Sequence, residues 1–237
     1  MIVRWVTGFL DTPSRDAEPF WLAVTGSSLS PRRGPGGAFA TLLPADGDAY
    51  LRVQVVGDPP ARAHLDLHVD DAASAAAEVT GLGAQVTFSE PGLVVLRSPA
   101  GIAFCLVDGE GEQSVPAVGA FGSVVDQLAL DIPVALYERE VAFWAAVTGW
   151  QRRASDLPEF SFLQPAGPMP VRLLLQRVGG SAAGVHLDFA CGDVDAEAAR
   201  HVALGAQVVR RVPGDWTTLR DPAGREYCVT GRSPFGR

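Results

Sequence analysis

The sequence predicts an α+β protein made by tandem duplication, with one unit of roughly 115 residues used twice in the same order. The first observation is a repeat. Ala63-His64-Leu65-Asp66-Leu67 recurs as Val185-His186-Leu187-Asp188-Phe189, and Gly83-Ala84-Gln85-Val86 recurs from Gly205 to Val208, both at an offset of 122. Leu96 to Gly101 recurs from Leu219 to Gly224, and Phe20-Trp21 with Thr25-Gly26 recurs as Phe143-Trp144 with Thr148-Gly149, at an offset of 123. The second observation is hydrophobic alternation at the period of strands, interrupted by a few short helical stripes. The third is punctuation: glycine closes each predicted helix and Pro-Ala-Gly marks a late turn in both copies. Together they predict domains at 1–110 and 120–237, joined by a linker at 111–119.

Each copy then reads strand–helix–three strands, twice over. Residues 3–10 and 124–132 alternate as opening strands, with Leu128, Leu130 and Ile132 on one face. The first helix is expected to begin near Pro13-Ser14 and to stop at Gly26, with Phe20, Trp21 and Val24 as its core stripe. Phe143, Trp144 and Val147 repeat that stripe before Gly149. Residues 27–38 read as a loop, followed by strands at 38–43 and 50–56. The second copy offers 160–164 and 171–178. Strands at 64–69 and 186–190 lead into helices with capping carboxylates at Asp70-Asp71 and Asp193-Val194-Asp195. Short strands follow at 84–88, 93–97 and 102–107, and again at 206–210, 217–220 and 226–230. The polar stretch after Val107 reads as a flexible linker.

Composition excludes several classes. The 237-residue chain carries a net charge of −8, its basic residues are all Arg, and no basic stripe suits a phosphate backbone. The paired arginines at 32–33, 152–153 and 210–211 read as solvated surface. No stretch reaches the length of a membrane span, and no signal-peptide pattern opens the chain. Cys105, Cys191 and Cys228 lack stapling or Cys-x-x-Cys spacing, which points to a reducing cytoplasm and to buried, inert thiols. His201, on a helix, reads as surface.

The His-Leu-Asp motifs, the Phe-Trp…Thr-Gly helices, Gly-Ala-Gln-Val and the Asp-Pro-Ala-Gly turn at Asp221 (Ser98 in the first copy) carry a resemblance. The chain resembles the vicinal oxygen chelate superfamily, the glyoxalase, bleomycin-resistance and extradiol dioxygenase group, in its glyoxalase-like branch. The resemblance covers nearly the whole chain and implies a bacterial protein. Each domain should hold two βαβββ modules with a curved mixed sheet forming a cleft. In metal-dependent members, ligands come from the first and fourth strands of each module.

Carried over position by position, the resemblance implies a metal set of Gln127, Gln176, His186 and Cys228 in the second domain. The first domain offers Thr7, Gln54, His64 and Cys105. Glutamate is missing at both positions where the family usually has it. Mg, Mn and Fe prefer anionic oxygen ligands, so a divalent metal is the candidate cofactor and this donor set argues against it. The period of two offers a different reading, placing His64, Asp66 and His68 on one face and His186 with Asp188 on another. A His beside an Asp could serve as a general base, with His186 and Asp188 the catalytic pair. It could equally recognise a ligand or hold strand ends by hydrogen bonds. Arg52 shares a face with Gln54, and Arg172 with Gln176, so each Arg could hold an anionic group. Two functions from different classes follow, besides an interaction module with filled clefts. The favoured one is a binder of a small organic molecule, of bleomycin-resistance type, acting as a monomer or homodimer. The alternative is a lyase or isomerase of glyoxalase type, metal-dependent through the second domain or metal-free through His186 and Asp188.

Overall fold

The computed structural model describes residues 1–109 and 111–234. The first repeat forms β1 (Trp5–Thr12), α1 (Glu18–Thr25), β2 (Ser28–Leu29), β3 (Phe39–Leu43), β4 (Leu51–Val55), β5 (Arg62–Val69), α2 (Ala72–Gly81), β6 (Gln85–Glu90), β7 (Leu93–Arg97) and β8 (Ala103–Asp108). The second forms β9 (Ser123–Pro133), α3 (Tyr137–Thr148), β10 (Gln151–Ala154), β11 (Phe160–Gln164), β12 (Arg172–Val178), β13 (Gly184–Cys191), α4 (Val194–Ala203), β14 (Gln207–Val212), β15 (Trp216–Arg220) and β16 (Glu226–Gly231). Each repeat makes one mixed eight-stranded sheet, ordered β2-β3-β4-β1-β5-β8-β7-β6 in the first and β10-β11-β12-β9-β13-β16-β15-β14 in the second. The α+β class and the duplication are therefore present as expected. No helix among the described residues is long and apolar enough to cross a membrane.

Local chemistry explains the helix ends. Gly26 and Gly149 adopt φ of 67° and 69°, and their amides reach back to Leu22 and Ala145 carbonyls. Asp71 accepts the Ser74 amide at 2.7 Å and Asp193 the Ala196 amide at 2.9 Å, capping α2 and α4. The start of α1 differs from expectation, since it begins at Glu18 with Pro19 in its first turn. Ser14 donates to the Asp16 carboxylate at 2.8 Å, a local turn that competes with helix. The third strand counted after each first helix has no legible position in the sequence and is the edge strand β2 or β10; two residues, or a Gln-Arg-Arg run, give no alternation to read.

The linker is anchored rather than free. Ser114 and Asp48 exchange backbone and side-chain hydrogen bonds at 2.7 and 2.8 Å, and the Ala117 amide donates to Asp46 at 3.1 Å.

The core divides along lines that cut across the repeat. One compact unit holds residues 1–7, 64–113 and 128–185; the other holds 8–63, 114–127 and 186–237. In the first, Phe104 of β8 meets Phe143 and Trp144 of α3 edge-on, at 6.0 and 5.0 Å. In the second, Trp21 of α1 packs on Phe189 of β13 and Tyr227 of β16, at 6.3 and 5.2 Å. The aromatic stripes are core, as their spacing implied, but each covers strands of the other repeat.

Polar groups are built into both cores. In one, the Trp21 indole N–H donates to Asp221 at 2.8 Å, and Asp221 pairs with buried Arg225 at 3.0 Å. Arg225 also donates to the carbonyls of Arg62 and Asp11. In the other, Ser98 stands where Asp221 would be, and Glu140 of α3 accepts from Trp144 and from the Ala100 amide, each at 2.8 Å.

Candidate functional site

Strand pairing assembles one polar cluster per repeat. β5 runs parallel to β8 with Leu65 opposite Phe104 and Asp66 opposite Cys105. Alternation sends Leu65, Leu67, Phe104 and Leu106 to the helix side. His64, Asp66 and Cys105 share the other face. β13 and β16 repeat this, with Asp188 opposite Cys228. In each cluster the His nitrogen, carboxylate oxygen and sulfur lie within 4.8 Å of one another. His64 Nε2 is 3.5 Å from Asp66 Oδ1, and His186 Nε2 is 3.3 Å from Asp188 Oδ1. The imidazoles are the outer members, with side chains 12% and 15% exposed, while the carboxylates beneath keep 6% and 3%.

Burial pushes Asp188 up, but the adjacent His186, the charge of Arg232 and the Gln127 amide outweigh it. The carboxyl is held below its ordinary range. Gln127 Nε2 donates to Asp188 Oδ2, whereas Oδ1 makes no hydrogen bond. Asp66 Oδ1 likewise makes none. Arg232 pairs directly with Asp126, the neighbour of Gln127 on β9. Burial raises the Cys105 thiol to about 11 and raises Cys228 as well. These are protonated thiols, the opposite of activated nucleophiles. Thr218, opposite Cys228, sits 3.6 Å from its sulfur; Val95 faces Cys105 in the first repeat.

The structure thus joins His186, Asp188, Cys228 and Gln127, and separately His64, Asp66 and Cys105. Gln176 and Arg172 belong to the compact unit that holds His64, and Arg52 and Gln54 to the unit that holds His186. Arg172 stacks on Phe162 at 4.1 Å. Arg52 lies opposite Phe9 in β1 and 5.9 Å from its ring centre, while Gln54 lies opposite Asp11. His68 is buried and bonds Thr7 at 2.9 Å, with Glu112 at 3.2 Å. It is drawn to those partners although it shares a strand face with Asp66.

His201 was expected at the surface and is fully buried. Its Nδ1 lies 2.8 Å from the Tyr227 hydroxyl and its Nε2 3.0 Å from Glu197, which also pairs with Arg200 and Ser123. Sequence reasoning missed this network because its polar members occupy positions held by Ala75, Val79 and Phe104 in the first repeat. The departure from the apolar copy was the available signal.

Comparison with known proteins places the fold. A family profile described as "Glyoxalase-like domain" matches residues 9–107 and 127–230. No curated protein matches the chain. Among solved structures, a variant of homoprotocatechuate 2,3-dioxygenase from B. fuscum superposes with a TM-score of 0.67 at 14% identity, covering 98% of this chain and 72% of that one. The Mn(II)-bound glyoxalase from Novosphingobium aromaticivorans gives 0.64 at 15% identity, with 97% and 81% covered. A mutant 4-hydroxymandelate synthase from Streptomyces coelicolor gives 0.62 at 15% identity, with 98% and 94% covered. At such identities the likeness is one of fold. With the profile matching twice, at the spacing of the internal repeat and over nearly the whole length, the chain belongs to the glyoxalase-like domain family, as two tandem domains.

Proposed function

We propose that the protein binds a small organic molecule against the His–Asp face of its sheets, without the glutamate-bearing metal site usual in its superfamily. One observation carries the reading: in both repeats a partly exposed imidazole is seated on a buried carboxylate, at 3.5 and 3.3 Å. Such a pair offers one oriented polar contact beside apolar surface, the composition of a small-molecule site. The Mn(II) named for the glyoxalase neighbour is a hard ion that favours oxygen ligands. Each cluster here has one carboxylate, one imidazole and one thiol, which does not fit such an ion. A thermal-shift screen of aromatic metabolites and antibiotics tests the proposal. Stabilisation by at least one class is expected, and it should be lost in His64→Ala or His186→Ala. A screen in which no compound raises the melting temperature would sink it.

A second reading is supported by the ionised state of Asp188. A carboxylate held below its usual range beside His186 suits a general base, because it stabilises the imidazolium formed when the ring takes a proton. His186 would take a proton from a hydroxyl-bearing carbon beside a carbonyl and return it to the carbonyl carbon while the hydroxyl proton passes to the carbonyl oxygen, an isomerase step balanced without an added reactant. Deuterium incorporation from solvent into a bound carbonyl compound, reduced about a hundredfold or more in His186→Ala, is the expected signature. Exchange equal to wild type in that variant would remove this reading.

A further inference from the structure

We propose that the first repeat holds a binding site for a small carboxylate at the C-terminal end of β5, and that Glu112 of the linker is its resident occupant. It rests on the reading that an organic molecule binds against the His–Asp face, and it names the chemistry of that molecule. Alternation puts His64, Asp66 and His68 on one face of β5. His68 is 1% exposed, and its Nε2 lies 2.9 Å from the hydroxyl of Thr7, which is fully buried. A threonine hydroxyl can donate to Nε2, which keeps the ring proton on Nδ1. Nδ1 is the nitrogen that meets the linker, and Glu112 Oε1 stands 3.2 Å from it. A carboxylate is thus already received there, by a ring that a neighbouring side chain orients.

Two observations separate this contact from an ordinary surface ion pair. The first is the path of the chain. Of residues 111–114, Glu112 alone is not exposed, and its side chain is 11% exposed. Glutamate is seldom turned inward unless something receives it. Residues 111–113 form no helix or strand, and Gly111 has φ of 92°, so the segment can release the side chain without unfolding an element. The second observation is the other repeat. Ala190 stands at the repeat position of His68 and is fully buried. The fold closes there with a methyl group and does not need the ring. A buried imidazole, hydroxyl and carboxylate carry a desolvation cost that an apolar filling avoids. A ligand accounts for their presence in one repeat and not the other. A tethered carboxylate competes at an effective concentration on the order of millimolar. The site is therefore closed until a free carboxylate displaces Glu112 and takes its place on His68, with the body of the ligand along the face toward Asp66 and His64.

The test is isothermal titration of the full chain, wild type and Glu112→Ala, with benzoate and with benzamide at constant ionic strength. Benzoate should bind Glu112→Ala about tenfold or more tighter than wild type, because the tethered competitor is gone. Benzamide, similar in shape and uncharged, should show no such gain. The gain should disappear when His68→Ala, which copies the second repeat, is added to Glu112→Ala, with circular dichroism confirming that each variant folds. If that double variant does not fold, Thr7→Val in the Glu112→Ala background takes its place and should lower benzoate affinity about threefold or more. Equal benzoate affinity in wild type and Glu112→Ala, a matching gain for benzamide, no binding of benzoate to Glu112→Ala, or a gain that survives the His68 or Thr7 change would overturn the proposal. Neutral compounds that raise the melting temperature of wild type would leave the organic-ligand reading standing while this one fails.

Discussion

Trp21 and Trp144 occupy equivalent repeat positions, and each indole N–H needs a buried acceptor. Asp221 supplies it from a strand turn in one core; Glu140 supplies it from the helix in the other. Where Asp221 is present, Arg225 answers its charge, and where Ser98 replaces it, Ile102 replaces Arg225. Asp221→Ala would leave a buried guanidinium without its carboxylate. A loss of about 3–5 kcal/mol is expected in urea denaturation. The same scale governs the thiols. Cys105, raised to about 11 by burial, should react slowly with a thiol reagent in native, metal-free protein near neutral pH, and faster as pH rises. The time course of thiol labelling, native against denatured, checks this.

At the scale of elements, α4 is held by titrating groups. Burial pushes Glu197 up, but hydrogen bonds from Arg200, His201 and Ser123 outweigh this and hold it at about 2. Its folded carboxyl is thus depressed, and its contribution is present above the ordinary value of 4.5 and lost as pH falls toward about 2. That contribution is roughly 3 kcal/mol. Burial also lowers His201, so the unfolded chain takes that proton first and acid weakens the fold through the same helix. Glu197→Gln should therefore lower stability at neutral pH and flatten the decline seen by denaturation as pH falls from about 4.5 toward about 2. The anchored linker makes its own demand. Gly47 has φ of 70°, and a Cβ there would stand 2.7 Å from the Pro116 Cα. Gly47→Ala should cost about 1–3 kcal/mol, measurable as a lower melting temperature.

Across the molecule, the compact units take one part from each repeat. A fragment ending near residue 110 would lose Phe143 and Trp144 from the Phe104 core; one beginning near 120 would lose Trp21 from the Phe189 core. Each fragment alone should lack cooperative thermal unfolding, and mixing the two should restore it. Circular dichroism melts of the separate and mixed fragments are the measurement. Independent cooperative melting of either fragment would contradict the exchange of helices between cores.

The chain by itself determined the duplication, the strand and helix order, the aromatic stripes and the candidacy of His64, Asp66, His186 and Asp188, because these are written in local periods of 2 and 3.6 residues and in capping and turn residues. Only the tertiary structure decided which sheet each helix covers, that Cys105 and Cys228 stand opposite the two aspartates, that Gln127 grips Asp188, and that His68 and His201 turn to other partners. Those outcomes depend on register between strands about 40 residues apart in sequence. Register is set by the packing of whole faces, and no short window of residues encodes it.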